Sequence, residues 1–131
     1  IKKLEESDKV KWWFKNGEGD GTSFAVKTVK ENGEPAPFFV DFIVFFKNKT
    51  IGLYDTKSGS TLQTDDIESK HKGLKKAIND KHYKKYELTG GIVSNTNMSE
   101  HTGVWRVFTG TTVKNIRDTS LQKSGWTDLD L

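Results

Sequence analysis

A chain of 131 residues is long enough for one modest hydrophobic core and too short to hold a motor or a recognition domain besides. It has no cysteine, which excludes disulfides and thiolate zinc sites, and its charged fraction of 30% with 11% aromatic residues argues against disorder. The net charge of +3 permits nucleic-acid binding without establishing it, and the mean hydropathy of −0.69 together with the absence of a long apolar run excludes a membrane-spanning helix.

Residues 1–8 read as the end of a helix that begins before Ile1, so the chain is expected to be one domain taken from a longer protein. Lack of cysteine and of a leader fits a cytoplasmic setting. Residues 10–15 form a strand candidate. Its Trp12 and Trp13 point to opposite faces, so one belongs in the core while its neighbour is partly exposed and able to stack on a base. Residues 16–23 are a Gly-rich loop. They lack the Gly-Lys-Ser/Thr ending of a phosphate loop and carry acids instead. Residues 24–29 alternate as a half-buried strand, and Asn32-Gly33 marks a tight turn. Pro35 and Pro37 stiffen the entry to the most apolar run, residues 38–46, which is broken only by Asp41. A polar turn at 47–49 leads to a second apolar strand, 51–57. Both strands belong at the centre of a sheet covered on two faces. A loop at 58–64 precedes a helix expected over 65–81. Asp65 and Asp66 favour its start, and Ile67, His71, Leu74 and Ile78 form its apolar stripe. Residues 90–94 and 103–109 read as further strands, while the chain from 115 onward is weakly patterned. This order predicts an α/β domain with a central mixed sheet flanked by helices.

The chemistry lies in the two central strands. A turn centred on Asn48 pairs residues whose numbers sum to 96, so Asp41 faces Asp55, and Lys57 projects from the same face as Asp55. That face also takes Phe39, Ile43 and Phe45, and the other takes Phe38, Val40, Phe42, Val44 and Phe46. Opposed carboxylates in apolar surroundings destabilise a sheet, and Lys57 offsets only one of the two charges. A divalent cation held by Asp41, Asp55 and the backbone carbonyl of Thr56 resolves the conflict, and hard oxygen ligands suit Mg²⁺. Such a site activates water and phosphate oxygen, with Lys57 orienting the water or stabilising developing charge.

Phe39-Val40-Asp41-Phe42-Ile43-Val44, followed by Ile51-Gly52-Leu53-Tyr54-Asp55-Thr56-Lys57-Ser58-Gly59, resembles the second and third motifs of the PD-(D/E)xK nuclease superfamily. More narrowly it is similar to the C-terminal endonuclease domain of type III restriction enzyme Res subunits, as are residues 10–16 and Gly90-Gly91-Ile92-Val93. Val40 stands where the family usually has proline. The resemblance implies a restriction-endonuclease-like fold and Mg²⁺-dependent hydrolysis of double-stranded DNA. It also implies a parent with an ATP-dependent helicase domain and a separate modification subunit; ATP belongs to that motor and not to this domain. The family further places a Glu ligand on a preceding helix, for which Glu5 and Glu6 are the nearby candidates, the alternative being an acid before Ile1. Lys70 and Lys72, just after the motif strand, are candidates for phosphate contacts, against the reading of a solvated helix face.

Two other classes compete. One is a non-catalytic nucleic-acid-binding module on the same fold. The other is a structural or interaction domain of a restriction-modification assembly, with Asp55 and Lys57 as a buried ion pair and Asp41 left uncompensated. His71, His82 and His101 have no metal-site spacing, and His71 is expected to pack in the core.

Overall fold

Two hydrophobic strands joined by a short polar turn organise the molecule. The computed structural model describes residues 2–17, 24–30, 32–80, 87–97 and 103–131. Residues 18–23 of the Gly-rich loop, Glu31, the expected helix end at Lys81, and His82 and His101 lie outside these.

In chain order the elements are α1 (Lys2–Glu6), β1 (Val10–Lys15), β2 (Val26–Val29), β3 (Pro35–Phe38), β4 (Phe42–Phe46), β5 (Ile51–Thr56), α2 (Ile67–Ile78), β6 (Leu88–Asn95), β7 (Trp105–Phe108) and β8 (Trp126–Asp128). Short 3-10 turns occupy Thr61–Gln63 and Val113–Arg117. Six strands form a mixed sheet in the order β1-β4-β5-β6-β7-β8, and β2 and β3 form a separate antiparallel ribbon. Among the described strands only β5 and β6 run parallel, because α2 lies on the connection between them and returns the chain to the starting end. Gly90 has φ +125°, and a Cβ there would come within 2.0 Å of the Leu53 carbonyl oxygen, so glycine lets β6 lie against β5.

Each sheet face has its own core. On one, Ile43, Leu53, Ile92 and Phe108 pack with Ile67 and Leu74 of α2. On the other, Val44, Tyr54, Val93 and Val107 pack with Leu4 of α1. The architecture is thus mixed α/β, with a six-stranded mixed sheet and a helix against each face. Among the described residues no helix is long and apolar enough to cross a membrane.

The apolar run 38–46 is two strands and not one. β3 pairs only with β2, the chain turns at residues 39–41, and β4 enters the large sheet. Pro35 and Pro37 have no N–H to give a second neighbour, which confines β3 to a two-stranded ribbon. The turn also resets the alternation. Phe38 and Val40, expected on the face of Phe42 and Val44, instead pack on the α2 side with Ile43 and Leu53. β8 is an element that the sequence pattern does not announce.

His71 is buried, donates its Nε2–H to the Gly110 carbonyl 3.1 Å away, and meets the Phe108 ring edge-on. Burial holds its pKa below the ordinary histidine value, with only partial opposition from the Gly110 bond. The fold therefore favours the neutral ring. Its contribution to stability is complete above the unfolded-state pKa of about 6.5 and is lost as pH falls below it. Denaturant unfolding of the protein and of His71→Gln between neutral pH and pH ~5 is expected to diverge in this direction, the wild type losing more on acidification.

Candidate active site

The β4–β5 hairpin has the register expected from its turn. Phe42 faces Tyr54, Ile43 faces Leu53, Val44 faces Gly52 and Phe45 faces Ile51. Lys49 takes φ 75° in the turn, and Asn48 Oδ1 accepts the Thr50 N–H at 2.9 Å. The last pair of the ladder, Phe42 with Tyr54, leaves Asp41 one residue before it and Asp55 one residue after it, at the open end of the hairpin.

Asp41 is fixed from two sides. Its carbonyl accepts the Asn16 N–H of the β1 end at 2.7 Å. Its Oδ2 accepts the Thr56 N–H at 2.9 Å and the Thr56 hydroxyl at 2.6 Å, and among the described residues Oδ1 has no hydrogen bond. Asn16 also ties down the far side of the first loop, since its side chain bonds both the N–H and the carbonyl of Phe24.

Asp55 is 1% exposed, at the C-terminal end of a strand paired on both sides. Its Oδ2 stands 2.5 Å from Lys57 Nζ and has no other partner among the described residues. Burial pushes the Asp55 carboxyl up to about 6; the bond and charge of Lys57 hold it down, Asp41 pushes it further up, and Lys70 pulls it slightly down. A carboxylate so placed lacks positive charge at neutral pH, which is what a cation between it and Asp41 would supply.

These residues open onto a cleft of about 790 Å³. Asp41, Asp55 and Lys57 form one wall, and the facing wall holds Asp65, Asp66 and Lys70 at the start of α2, with the β2–β3 ribbon closing one side. Lys70 is shared between Asp66, at 3.1 Å, and the face of Phe38, 5.3 Å from the ring centroid. A second cleft of about 770 Å³ lies at the other end of the sheet, among Lys47, Asn48, Glu87 and Asp130, and contains none of the candidate residues.

The sequence-predicted residues thus divide. Asp41, Asp55, Thr56 and Lys57 come together, and Lys70 joins them across the cleft. Lys72 does not: it lines a separate depression beside Gly73 and Lys76. Glu5 and Glu6 do not either. α1 packs through Leu4 on the opposite sheet face, both glutamates are exposed, and Glu6 pairs with Lys2 at 4.0 Å. The helix is a single short turn before β1, which keeps it on that side. Among the described residues no group of three or more His, Asp and Glu is placed to hold one metal ion, so the donors at hand are Asp41, Asp55 and the Thr56 carbonyl. Two features escaped sequence reasoning: the Thr56 N–H and hydroxyl as the clamp on Asp41, and Asp65 and Asp66 as the facing wall. The second was signalled by connectivity, because a helix following β5 through a short loop must begin near the strand end that carries Asp55 and Lys57.

Comparison of the chain with family models, with characterised proteins and with solved structures finds no match.

Proposed function

We propose that this chain is a restriction-endonuclease-like domain that hydrolyses phosphodiester bonds of double-stranded DNA with Mg²⁺, as in a type III restriction enzyme. The reading rests above all on Asp55: a carboxylate 1% exposed, in contact with Lys57 and close enough to Asp41 to feel its charge, at the wall of an open cleft. A structural ion pair has no use for the second aspartate, whose presence makes the charged state of Asp55 costlier.

The donor set fits a hard divalent cation: Asp41, Asp55 and the Thr56 carbonyl would hold it, and it would supply Lewis acidity for water and phosphate. Thr56 holds Asp41 in place through two hydrogen bonds, so the carboxylate needs little reorganisation to bind. Lys57 Nζ, with its side chain 16% exposed, directs its free protons into the cleft, where it orients the attacking water or donates to the developing phosphate charge. Lys70, on the facing wall, contacts a neighbouring phosphate oxygen once it exchanges its bond to Asp66. In this reading the parent's helicase domain, which uses ATP, and a modification subunit are the partners, and the setting is cytoplasmic.

Among the described residues no third His, Asp or Glu is placed to join Asp41 and Asp55 on one metal ion, which favours one alternative, a non-catalytic DNA-binding module on the same fold. Incubation of supercoiled plasmid with the protein and millimolar Mg²⁺ or Mn²⁺ separates the two. Nicked or linear product, absent in EDTA, supports the nuclease. Intact plasmid under conditions where it is bound refutes it.

A further inference from the structure

The outermost strand of the sheet carries an aromatic surface that the cleft does not use. β1 is an edge strand, and its Trp12 and Phe14 are 48% and 41% exposed. Trp13 points the other way and packs edge-on against Phe42. Trp12 lies flat on Phe45, with centroids 3.7 Å apart and an interplanar angle of 17°, and Phe14 lies beside it at 6.0 Å and 21°. Three nearly parallel rings therefore form a platform of which about half of the Trp12 and Phe14 surface remains open.

The platform is continuous with the candidate active site. Phe14 pairs with Ile43 and Trp12 with Phe45, on the sheet face that Ile43 and Leu53 share with α2. Two residues beyond Phe14, the N–H of Asn16 bonds the Asp41 carbonyl. At a rise of about 3.3 Å per residue, Phe14 and Trp12 lie roughly 7 and 13 Å along the sheet from the Asp41 position.

We propose that Trp12 and Phe14 stack unpaired bases of a single-stranded nucleic-acid segment that leads toward the cleft. The proposal rests on the nucleic-acid reading above and adds to it a preference for unpaired strand. Three observations select this occupant. Bases within a duplex do not offer their faces, whereas unpaired bases stack on exposed rings whatever their identity. The 6.0 Å between the Trp12 and Phe14 centroids exceeds the rise of about 3.4 Å per base along a duplex strand, and suits an extended one. β1 carries no acid that would repel a phosphate backbone; its only charges are the exposed Lys11 and Lys15, which alternate with the platform onto the Trp13 side. A protein strand fits worse, because those lysines and the register shift between Val10 and Trp12 are devices that discourage edge pairing.

The test is fluorescence anisotropy in EDTA, with a labelled oligothymidylate of about twelve nucleotides and a blunt duplex of the same length. The protein is expected to bind the single strand more tightly than the duplex. Trp12→Ala and Phe14→Ala are each expected to weaken single-strand binding at least about fivefold, with Trp12→Phe restoring most of it, whereas Val104→Ala, an exposed apolar control, leaves it unchanged. Wild-type affinity in folded Trp12→Ala and Phe14→Ala overturns the proposal. So does a dimer that Trp12→Ala dissolves, since the platform is then covered by a second copy. The two readings fail separately. Platform-dependent binding without cleavage by Mg²⁺-loaded protein sinks the nuclease alone, and cleavage with unaltered binding by Trp12→Ala sinks the platform alone.

Discussion

Lys57→Ala is expected to slow phosphodiester cleavage on the order of 10²- to 10³-fold, the loss typical of one donor aimed at developing charge. DNA binding should persist, because Lys57 is one cation among several around the cleft. The variant has a second, structural consequence. Lys57 is the group that holds the Asp55 carboxyl down, so its removal sends that pKa above the present value of about 6 and leaves a buried charge without its partner. Stability at pH 8 should fall accordingly. The double variant Asp55→Asn/Lys57→Ala separates the two effects: it is expected to regain stability and remain inactive. Single-turnover cleavage beside thermal unfolding of the three proteins checks this. Cleavage at the wild-type rate by folded Lys57→Ala would remove Lys57 from the mechanism.

Asp55→Asn is expected to be more stable than the wild type at pH 8 while losing its cation. The carboxyl is raised from 3.8 to about 6 in the fold, so the folded state binds its proton more tightly than the unfolded chain does. The group's stabilising contribution is complete below the unfolded pKa of 3.8 and is lost as pH rises through about 6. Relative to a neutral isostere, the ionised carboxylate therefore costs up to about 3 kcal/mol above that window. Asparagine keeps the shape and removes the charge. Urea unfolding without metal should place the variant above the wild type at pH 8, with the gap closing as pH approaches 4. A variant less stable at pH 8 would mean that the Lys57 ion pair outweighs the burial of Asp55. Saturating Mg²⁺ should narrow the gap from the other side, stabilising only the wild type, by about 2.7 kcal/mol at a hundredfold excess over Kd.

The hairpin that carries this chemistry was legible in the sequence for a physical reason. Two apolar runs around a short polar turn admit few registers, and one that aligns both apolar faces fixes Asp41 and Asp55 at the same end. The observed pairs from Phe42–Tyr54 to Phe45–Ile51 keep the sum of 96. The stripe of Ile67, His71 and Leu74 was likewise legible, since helical spacing and burial agree there. The break between β3 and β4 was not, because Phe38, Val40 and Phe42 alternate as one strand would and only the pairing partners reveal the turn between them. β8 was hidden by its length of three residues, with a single buried anchor in Trp126. Glu5 and Glu6 stayed open as candidates because a sequence does not show which sheet face a short helix will cover. Leu4 settles that by joining Val44 and Tyr54, and so takes Glu5 and Glu6 away from the cleft.

The central claim is that Asp41 and Asp55 form a divalent-cation site, and isothermal calorimetry with Mg²⁺ and Mn²⁺ tests it most directly. The predicted result is one ion bound per chain, with affinity lost in Asp55→Asn and in Asp41→Asn while both variants remain folded. No binding heat at millimolar metal by the folded wild type, or equal binding by both variants, would contradict it.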